Sequence, residues 1–168
     1  MEKVEMNKDM KLSEHFSLGE VTKTSIKTED GNIPSRVVIE NLRNLCENWL
    51  EDLRYSYNTL YHEISPCAAL SRDDKGIVIN SGYRSPEVNK RVGGSPTSNH
   101  LTGCAVDIYV TGFEQAIRYA SILLDISDGT KRDYDELFIE KNSSGSHWIH
   151  FAVRPKNNRR KGGFILAK

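Results

Sequence analysis

The sequence predicts an α+β fold in which a small antiparallel sheet packs against helices. Helical periodicity dominates the first third of the chain, and short apolar segments typical of strands follow, interrupted by one further helix. The 168 residues include 38% hydrophobic residues, enough for one substantial core, and no shift in composition indicates a second one. We therefore expect residues 1–168 to form a single domain.

Two helices are predicted in the first part of the chain. Near the start, FSLGEV has the spacing of a capping box, with Ser17 as N-cap and Glu20 three residues later. A long amphipathic helix begins near Ser35, because apolar residues recur there at steps of three and four: Val38, Leu42, Leu45, Trp49 and Leu53. The following stretch, YNTLYHEISPCAALSRDDKG, reads as an irregular connection or insertion with some helix.

Two further helices are predicted later in the chain. SPEVNKRVGG combines Ser85 as N-cap, Pro86 at the first helical position and a Gly93-Gly94 terminator. TGFEQAIRYASILLDIS is expected to begin with a Thr111/Glu114 capping box. Its amphipathic pattern is the apolar row Phe113, Ile117, Ala120 and Leu124.

The strands are short and rich in β-branched and aromatic residues. IVIN is a buried strand between glycines, and ELFIE and HWIHFAV form a hairpin around the turn KNSSG. In GCAVDIY, alternation places Cys104, Val106 and Ile108 on a core face, and Gly103, Ala105, Asp107 and Tyr109 on the other face. Cys104 is therefore expected to be a buried core thiol, not a ligand.

Charge and cysteine content exclude several classes of function. Lys and Arg total 23, as do Asp and Glu, so no net field attracts nucleic acid or an anionic membrane. Three cysteines at unrelated spacings do not form a disulfide framework. The charged start and the lack of a long apolar run predict no signal peptide and no transmembrane segment, hence synthesis in the cytoplasm.

Asp107 is the unusual residue of the predicted sheet. An ionised carboxylate in a half-buried strand needs a partner, because an unpaired one loses several kcal/mol of hydration. His100 precedes it, and Gly103 permits a turn that folds His100 back towards it. With His150, these residues make a normal three-ligand set for catalytic zinc, with the fourth position left for water.

Two stretches carry a resemblance to a known family. SGYRSPEVNKRVGGSPTSNHLTGCAVDI, followed about forty residues later by HWIHFAV, resembles the zinc peptidases of the M15 family, of the D-Ala-D-Ala carboxypeptidase type with the hedgehog/DD-peptidase fold. The Ser-x-His-x-x-Gly-x-Ala-x-Asp pattern is matched by Ser98, His100, Gly103, Ala105 and Asp107. The Trp-x-His ending is matched by Trp148 and His150, and weaker likeness covers most of the chain outside Tyr55 to Lys75.

The resemblance implies roles for the matched residues. Zinc would be held by His100, Asp107 and His150, while Arg84 would bind a carboxylate or carbonyl of the substrate, since a guanidinium grips a carboxylate bidentately. Ser98 and Trp148 are expected to line the substrate site, although Ser98 equally suits a turn.

The catalytic base is the weakest part of the match. Many members have an acidic residue three positions before the second histidine ligand, where His147 stands here. In a regular strand His147 would face away from His150, so its use requires that it sit in the loop entering the strand. A histidine can transfer the proton; the alternatives are Glu140 or no base at all.

The resulting hypothesis is a zinc metallopeptidase that cleaves the stem peptide of bacterial peptidoglycan, acting as a monomer. Zinc-activated water would attack the scissile carbonyl, with Arg84 stabilising charge and His147 moving the proton. Without an export signal, a phage or prophage lysis protein released by a partner that opens the membrane fits, and a mobile-element or tail-associated role fits equally well. Carboxypeptidase and endopeptidase activity both remain open, and the alternative is a non-catalytic, zinc-stabilised wall-binding or phage structural module.

The basic run RPKNNRRKGGF near the C-terminus suits anionic polymers. More often such a run is a solvated tail, which is the interpretation we favour.

Overall fold

The computed structural model describes residues 6–62 and 76–167. The helices are α1 (Leu18–Val21), α2 (Arg36–Leu45), α3 (Glu51–His62), α4 (Pro86–Arg91) and α5 (Phe113–Thr130). A π-helical turn, Cys46–Leu50, joins α2 to α3 without a break, so the long helix predicted from periodicity is confirmed. Its last part, α3, supplies helix at the start of the following connection, where some helix is expected. Residues 63–75 of that connection lie outside the described residues.

A five-stranded sheet forms the other half of the α+β fold. Its strands are β1 (Ile79–Ser81), β2 (Ala105–Tyr109), β3 (Glu136–Lys141), β4 (His147–Ala152) and β5 (Lys161–Leu166), in the order β1-β2-β4-β3-β5. The β3–β4 hairpin is confirmed, and every pairing is antiparallel except that of β3 with β5. The sheet is therefore mixed, because β5 adds a parallel edge strand that the sequence did not predict.

The sheet has one face in the core. Val106 and Ile108 of β2 are fully buried, as predicted from their alternation, and so are Ile149 and Phe151 of β4. Trp49, from the π-helical turn, packs with its ring centroid 5.1 Å from that of Phe151. The π-helical turn and α5 thus cover one face of the sheet, which leaves polar side chains of β2 and β4 on the other. None of the helices in residues 6–62 and 76–167 is long and apolar enough to span a membrane.

The start of α5 differs from the prediction. Gly112 is the N-cap, and the Thr111 backbone N–H donates to Oε1 of Gln115 at 2.7 Å. Glu114 instead pairs with Arg118 on the surface. The predicted Thr111/Glu114 capping box is therefore wrong, because the helix begins one residue later than its sequence signal suggests.

The buried face of α5 also differs from the predicted one. Three members of the predicted apolar row, Phe113, Ile117 and Leu124, are exposed. The helix instead buries Ala116, Tyr119, Ile122, Leu123 and Ile126. Because α5 is apolar around much of its circumference, periodicity alone does not decide which side meets the sheet.

The basic C-terminal run is not a solvated tail. Arg159 forms a two-pronged ion pair with Asp135, from Nε to Oδ1 at 2.8 Å and from one terminal nitrogen to Oδ2 at 2.6 Å. Arg160 pairs with Asp128 and Asp133. These contacts dock the chain just before β5, so the run is part of the fold.

Asp135 is the buried anchor of this arrangement, with a side-chain exposure of 0%. Burial alone would raise the pKa of its carboxyl, but hydrogen bonds from Arg159 and Asn99 hold that pKa at about 2. The carboxylate therefore stabilises the fold fully above its unfolded pKa of about 4, and the stabilisation is lost as pH falls through the folded value.

We expect Asp135→Asn to lower the free energy of unfolding at pH 7 by about 2 kcal/mol, because the buried carboxylate loses its charge-assisted hydrogen bonds from the partly exposed Arg159. Urea unfolding at pH 7 and pH 3 measures this, and the difference between variant and wild type should shrink at the lower pH. Asp128→Asn, at an exposed pair with Arg160, is the matched control and should cost no more than about 1 kcal/mol. Equal losses in both variants would contradict the anchoring role.

Candidate metal centre

The face of the sheet opposite the core carries side chains in rows that run across three strands. The pairing of β2, β4 and β3 sets the rows: Tyr109, Trp148 and Glu140; Asp107, His150 and Phe138; and Ala105, Ala152 and Glu136. Asp107 therefore lies directly beside His150. The two glutamates of β3 lie diagonally on either side of His150.

His100 reaches the same face from a 3₁₀ turn, Asn99–Thr102, that precedes β2. The hydroxyl of Ser98 accepts a hydrogen bond from the His100 backbone N–H and caps this turn. Gly103 ends it at φ 69°, and a Cβ there would lie 2.7 Å from the carbonyl oxygen of Val38. Both the positive φ and the close approach of α2 require glycine, which confirms the predicted turn.

Three donor atoms converge at this point. Nε2 of His100 lies 3.2 Å from Oδ1 of Asp107, and Nδ1 of His150 lies 2.9 Å from the same oxygen. The ligand atoms of the three residues all lie within 4.8 Å of one another. The histidines thus present different ring nitrogens to one carboxylate oxygen.

The outer nitrogen of each imidazole is also held. Nδ1 of His100 lies 2.6 Å from the carbonyl oxygen of Gly82, and Nε2 of His150 lies 3.2 Å from Oε2 of Glu136. Because both outer partners are acceptors, the outer nitrogens donate to them, and the inner nitrogens beside Asp107 are the ones that a metal would take in place of a proton. This is the arrangement that metal-ligating histidines require.

The second oxygen of Asp107 is held by Arg84. A terminal nitrogen of the guanidinium donates to Oδ2 at 2.5 Å, and Nε donates to the hydroxyl of Ser81 at 2.8 Å. Oδ1 is left facing the two imidazoles. Arg84 therefore fixes the orientation of Asp107, a role in addition to the substrate binding that the resemblance implies.

The electrostatics of this cluster favour a bound cation. His100 is 2% exposed and Asp107 only 9%, yet the charges and hydrogen bonds of both histidines outweigh the burial and hold the pKa of Asp107 well below its usual range. Burial opposes protonation of His150, but hydrogen bonds to Asp107 and Glu136 raise its pKa to about 9. Positive charge between these groups is thus strongly stabilised.

The donor set fits a tetrahedral transition metal. Bonds of 2.0–2.1 Å at tetrahedral angles place neighbouring ligand atoms about 3.3 Å apart, close to the 2.9 and 3.2 Å separations from Oδ1 of Asp107. Two imidazole nitrogens and one carboxylate oxygen form a common ligand set for zinc, and three protein ligands leave one position for water. The residues present therefore suit such an ion.

The structure does not bring His147 to this cluster. His147 is the first residue of β4, paired in register with Lys141, so it faces the side opposite to His150 and packs at 5.8 Å from the ring of Phe113. The expectation that it lies in an entering loop is thereby corrected. The strand is regular there, and a residue three positions before His150 must face the other way.

Glu140 and Trp148, in contrast, lie on the face of the cluster. They are directly paired across β4 and β3. Burial raises the pKa of the Glu140 carboxyl above its usual value, with the charge of His150 acting against it. A carboxyl with a raised pKa is a stronger base than an ordinary glutamate, which suits it to proton transfer beside a metal site.

Two further residues of the cluster were missed by the sequence analysis. Glu136 contacts the outer nitrogen of His150, and Asn99 donates to Glu136 Oε2 at 3.0 Å and to Asp135 Oδ2 at 2.8 Å. The alternation of Glu136 and Glu140 about Phe138 was visible in ELFIE. The position of these glutamates relative to His150 depends on the register of the β3–β4 hairpin, which the turn sequence does not specify.

Comparison with known proteins points to one family. A family model described as Peptidase M15 matches residues 68–132, a range that contains Arg84, His100 and Asp107 but ends before β3 and β4. No curated protein matches the chain significantly.

We expect purified protein to bind one equivalent of zinc, and His150→Ala to lose it, because two protein ligands hold the ion far more weakly than three. Metal analysis after dialysis against buffer containing trace zinc measures both. Cys104→Ala is the control: this buried thiol is not among the converging donors and its loss should leave the stoichiometry at one. Retention of zinc by His150→Ala would contradict the ligand set.

Proposed function

We propose that this protein is a zinc-dependent peptidase acting on the stem peptide of bacterial peptidoglycan. The premise is membership of the peptidase M15 family, which the matching family model supports. The supporting observation is the convergence of His100, Asp107 and His150 on one point, with each outer imidazole nitrogen held by an acceptor. The substrate class is inferred from the resemblance to D-Ala-D-Ala carboxypeptidases.

The three ligands would hold the ion through Nε2 of His100, Oδ1 of Asp107 and Nδ1 of His150. When bound there, zinc supplies Lewis acidity, which lowers the pKa of water and polarises a carbonyl. The chain itself contributes the rigid placement of the ligands. All three are tied to the sheet or to its preceding turn, so little reorganisation is needed on binding.

Glu140 is our choice of general base. Its row adjoins that of His150, and its raised pKa suits it to take a proton from the attacking water and pass it to the leaving amine nitrogen. Trp148 lies directly beside Glu140 across the β3–β4 pair. The side chain of His147 lies on the opposite face of β4, so the proposal gives the proton transfer to Glu140.

Arg84 has two parts in the proposal. It fixes Asp107 as described above, and its side chain keeps 18% exposure, through which a substrate carboxylate or the charge developing on the scissile carbonyl can approach the guanidinium. Ser98 caps the turn of His100 through its oxygen, so its hydroxyl proton is free to donate to the peptide. Trp148 supplies an apolar wall next to Glu140.

The site of action follows from the substrate. A peptidase that cleaves stem peptides would act at the cell wall, where that polymer lies.

A digest of purified muropeptides with the zinc-loaded protein, read by mass spectrometry, tests the activity. We expect peptide products whose masses each include one added water. Loss of a terminal D-alanine would identify a carboxypeptidase, and separation of cross-linked dimers an endopeptidase. Intact muropeptides at saturating enzyme would contradict catalysis and favour the wall-binding module.

The choice of base is tested by a pair of isosteric or near-isosteric variants. We expect Glu140→Gln to lower kcat by about 10² to 10⁴, since the proton transfer is lost, while zinc content stays at one equivalent. His147→Gln should leave kcat near the wild-type value, because its ring lies on the other face of β4. Kinetics on a synthetic stem peptide measure both, and the reverse result would restore His147 as the base.

A further inference from the structure

We propose that Glu136 is a positioning residue for the metal centre: it holds His150 as a ligand and strengthens its donor nitrogen through a carboxylate that Asn99 and Arg159 lock in place. The inference rests on the proposed metal site, and concerns a residue that touches neither ion nor substrate.

The two histidines differ in the charge of their outer partners. Nδ1 of His100 donates to a neutral carbonyl, that of Gly82. Nε2 of His150 donates to an anionic carboxylate, that of Glu136. A carboxylate acceptor pulls the imidazole proton more strongly, which makes the opposite nitrogen a better donor to a metal. His150 is therefore the ligand whose strength depends on a side chain.

The carboxylate of Glu136 is itself rigidly held. Oε1 accepts from a terminal nitrogen of Arg159 at 2.7 Å, and Oε2 accepts from Nδ2 of Asn99 at 3.0 Å in addition to the His150 ring. Both oxygens thus have charged or polar donors, so the side chain has little freedom to rotate away. Its 20% side-chain exposure limits competition from water.

The same network ties the second histidine to the first. Asn99 immediately precedes His100 in the 3₁₀ turn, and its amide bridges Glu136 and Asp135. Arg159 also bridges these two carboxylates. The spacing between the His100 turn and the His150 strand is consequently fixed by hydrogen bonds as well as by the sheet. The basic C-terminal run thus reaches the metal centre through Glu136.

The variant Glu136→Gln removes the charge and keeps the shape. We expect its zinc dissociation constant, measured by chelator competition, to rise about 10-fold to 100-fold, the usual effect of losing a carboxylate behind a histidine ligand. Glu114→Gln is the matched control, because Glu114 is also paired with an arginine but lies exposed on α5. That variant should bind zinc as the wild type does.

Thermal unfolding with and without zinc separates positioning from a merely structural role. A structural loss lowers Tm equally in both conditions, whereas weaker binding reduces the rise in Tm that zinc produces. We expect a smaller zinc-induced rise for Glu136→Gln, together with a changed visible absorption spectrum of the Co²⁺-loaded protein.

Equal zinc dissociation constants for wild type and Glu136→Gln, or an equal zinc-induced rise in Tm, would overturn the inference without touching the peptidase proposal. The opposite outcome is also distinguishable. If the wild type binds zinc but leaves muropeptides intact, and Glu136→Gln binds zinc more weakly, the peptidase proposal is refuted and the positioning role is supported.

Discussion

The burial of Asp107 is the constraint on which the arrangement of the site depends. A carboxylate placed in a central strand is stable only if its two oxygens are satisfied by positively polarised groups. Arg84 meets one oxygen, and the two histidines meet the other. These partners come from three separate parts of the chain. One buried charge therefore fixes the relative positions of the loop after β1, the turn before β2 and strand β4.

The sheet can hold a buried carboxylate because one of its faces forms the apolar core and the other carries the polar site. Val106 and Ile108 lie in the core on one side of β2, while Asp107 between them faces the site. Any shift of register by one residue would expose the apolar pair and bury the acid among apolar side chains, so packing on one face enforces geometry on the other. The site inherits its rigidity from the core.

Local sequence patterns predict most of the helices and strands, whereas the relative placement of the site residues depends on strand register and helix packing. His100 and Asp107 could be related because a turn glycine and strand alternation connect them over a short distance, whereas His150 joined them through its ligand chemistry and the family resemblance. The errors concern longer-range relations. A proton-transfer role for His147 requires that it lie in a loop, but His147 pairs with Lys141 within β4. The buried face of α5 depends on how that helix packs against the sheet. The carboxylates that bind the basic run near the C-terminus are distant from it in sequence, so the run alone does not predict these ion pairs.

The two glutamates of β3, Glu136 and Glu140, have different chemical properties because their surroundings differ. Each glutamate lies two residues from Phe138, which pairs with His150, so both occupy equivalent diagonal positions relative to His150. Their surroundings differ because Asn99 and Arg159 cover only the Glu136 end. Hydrogen bonds from His150 and Asn99 outweigh burial there and lower the pKa of Glu136, whereas burial raises that of Glu140. The same residue type is thus fixed as an anion at one end, where it can orient a ligand, and left able to exchange a proton at the other.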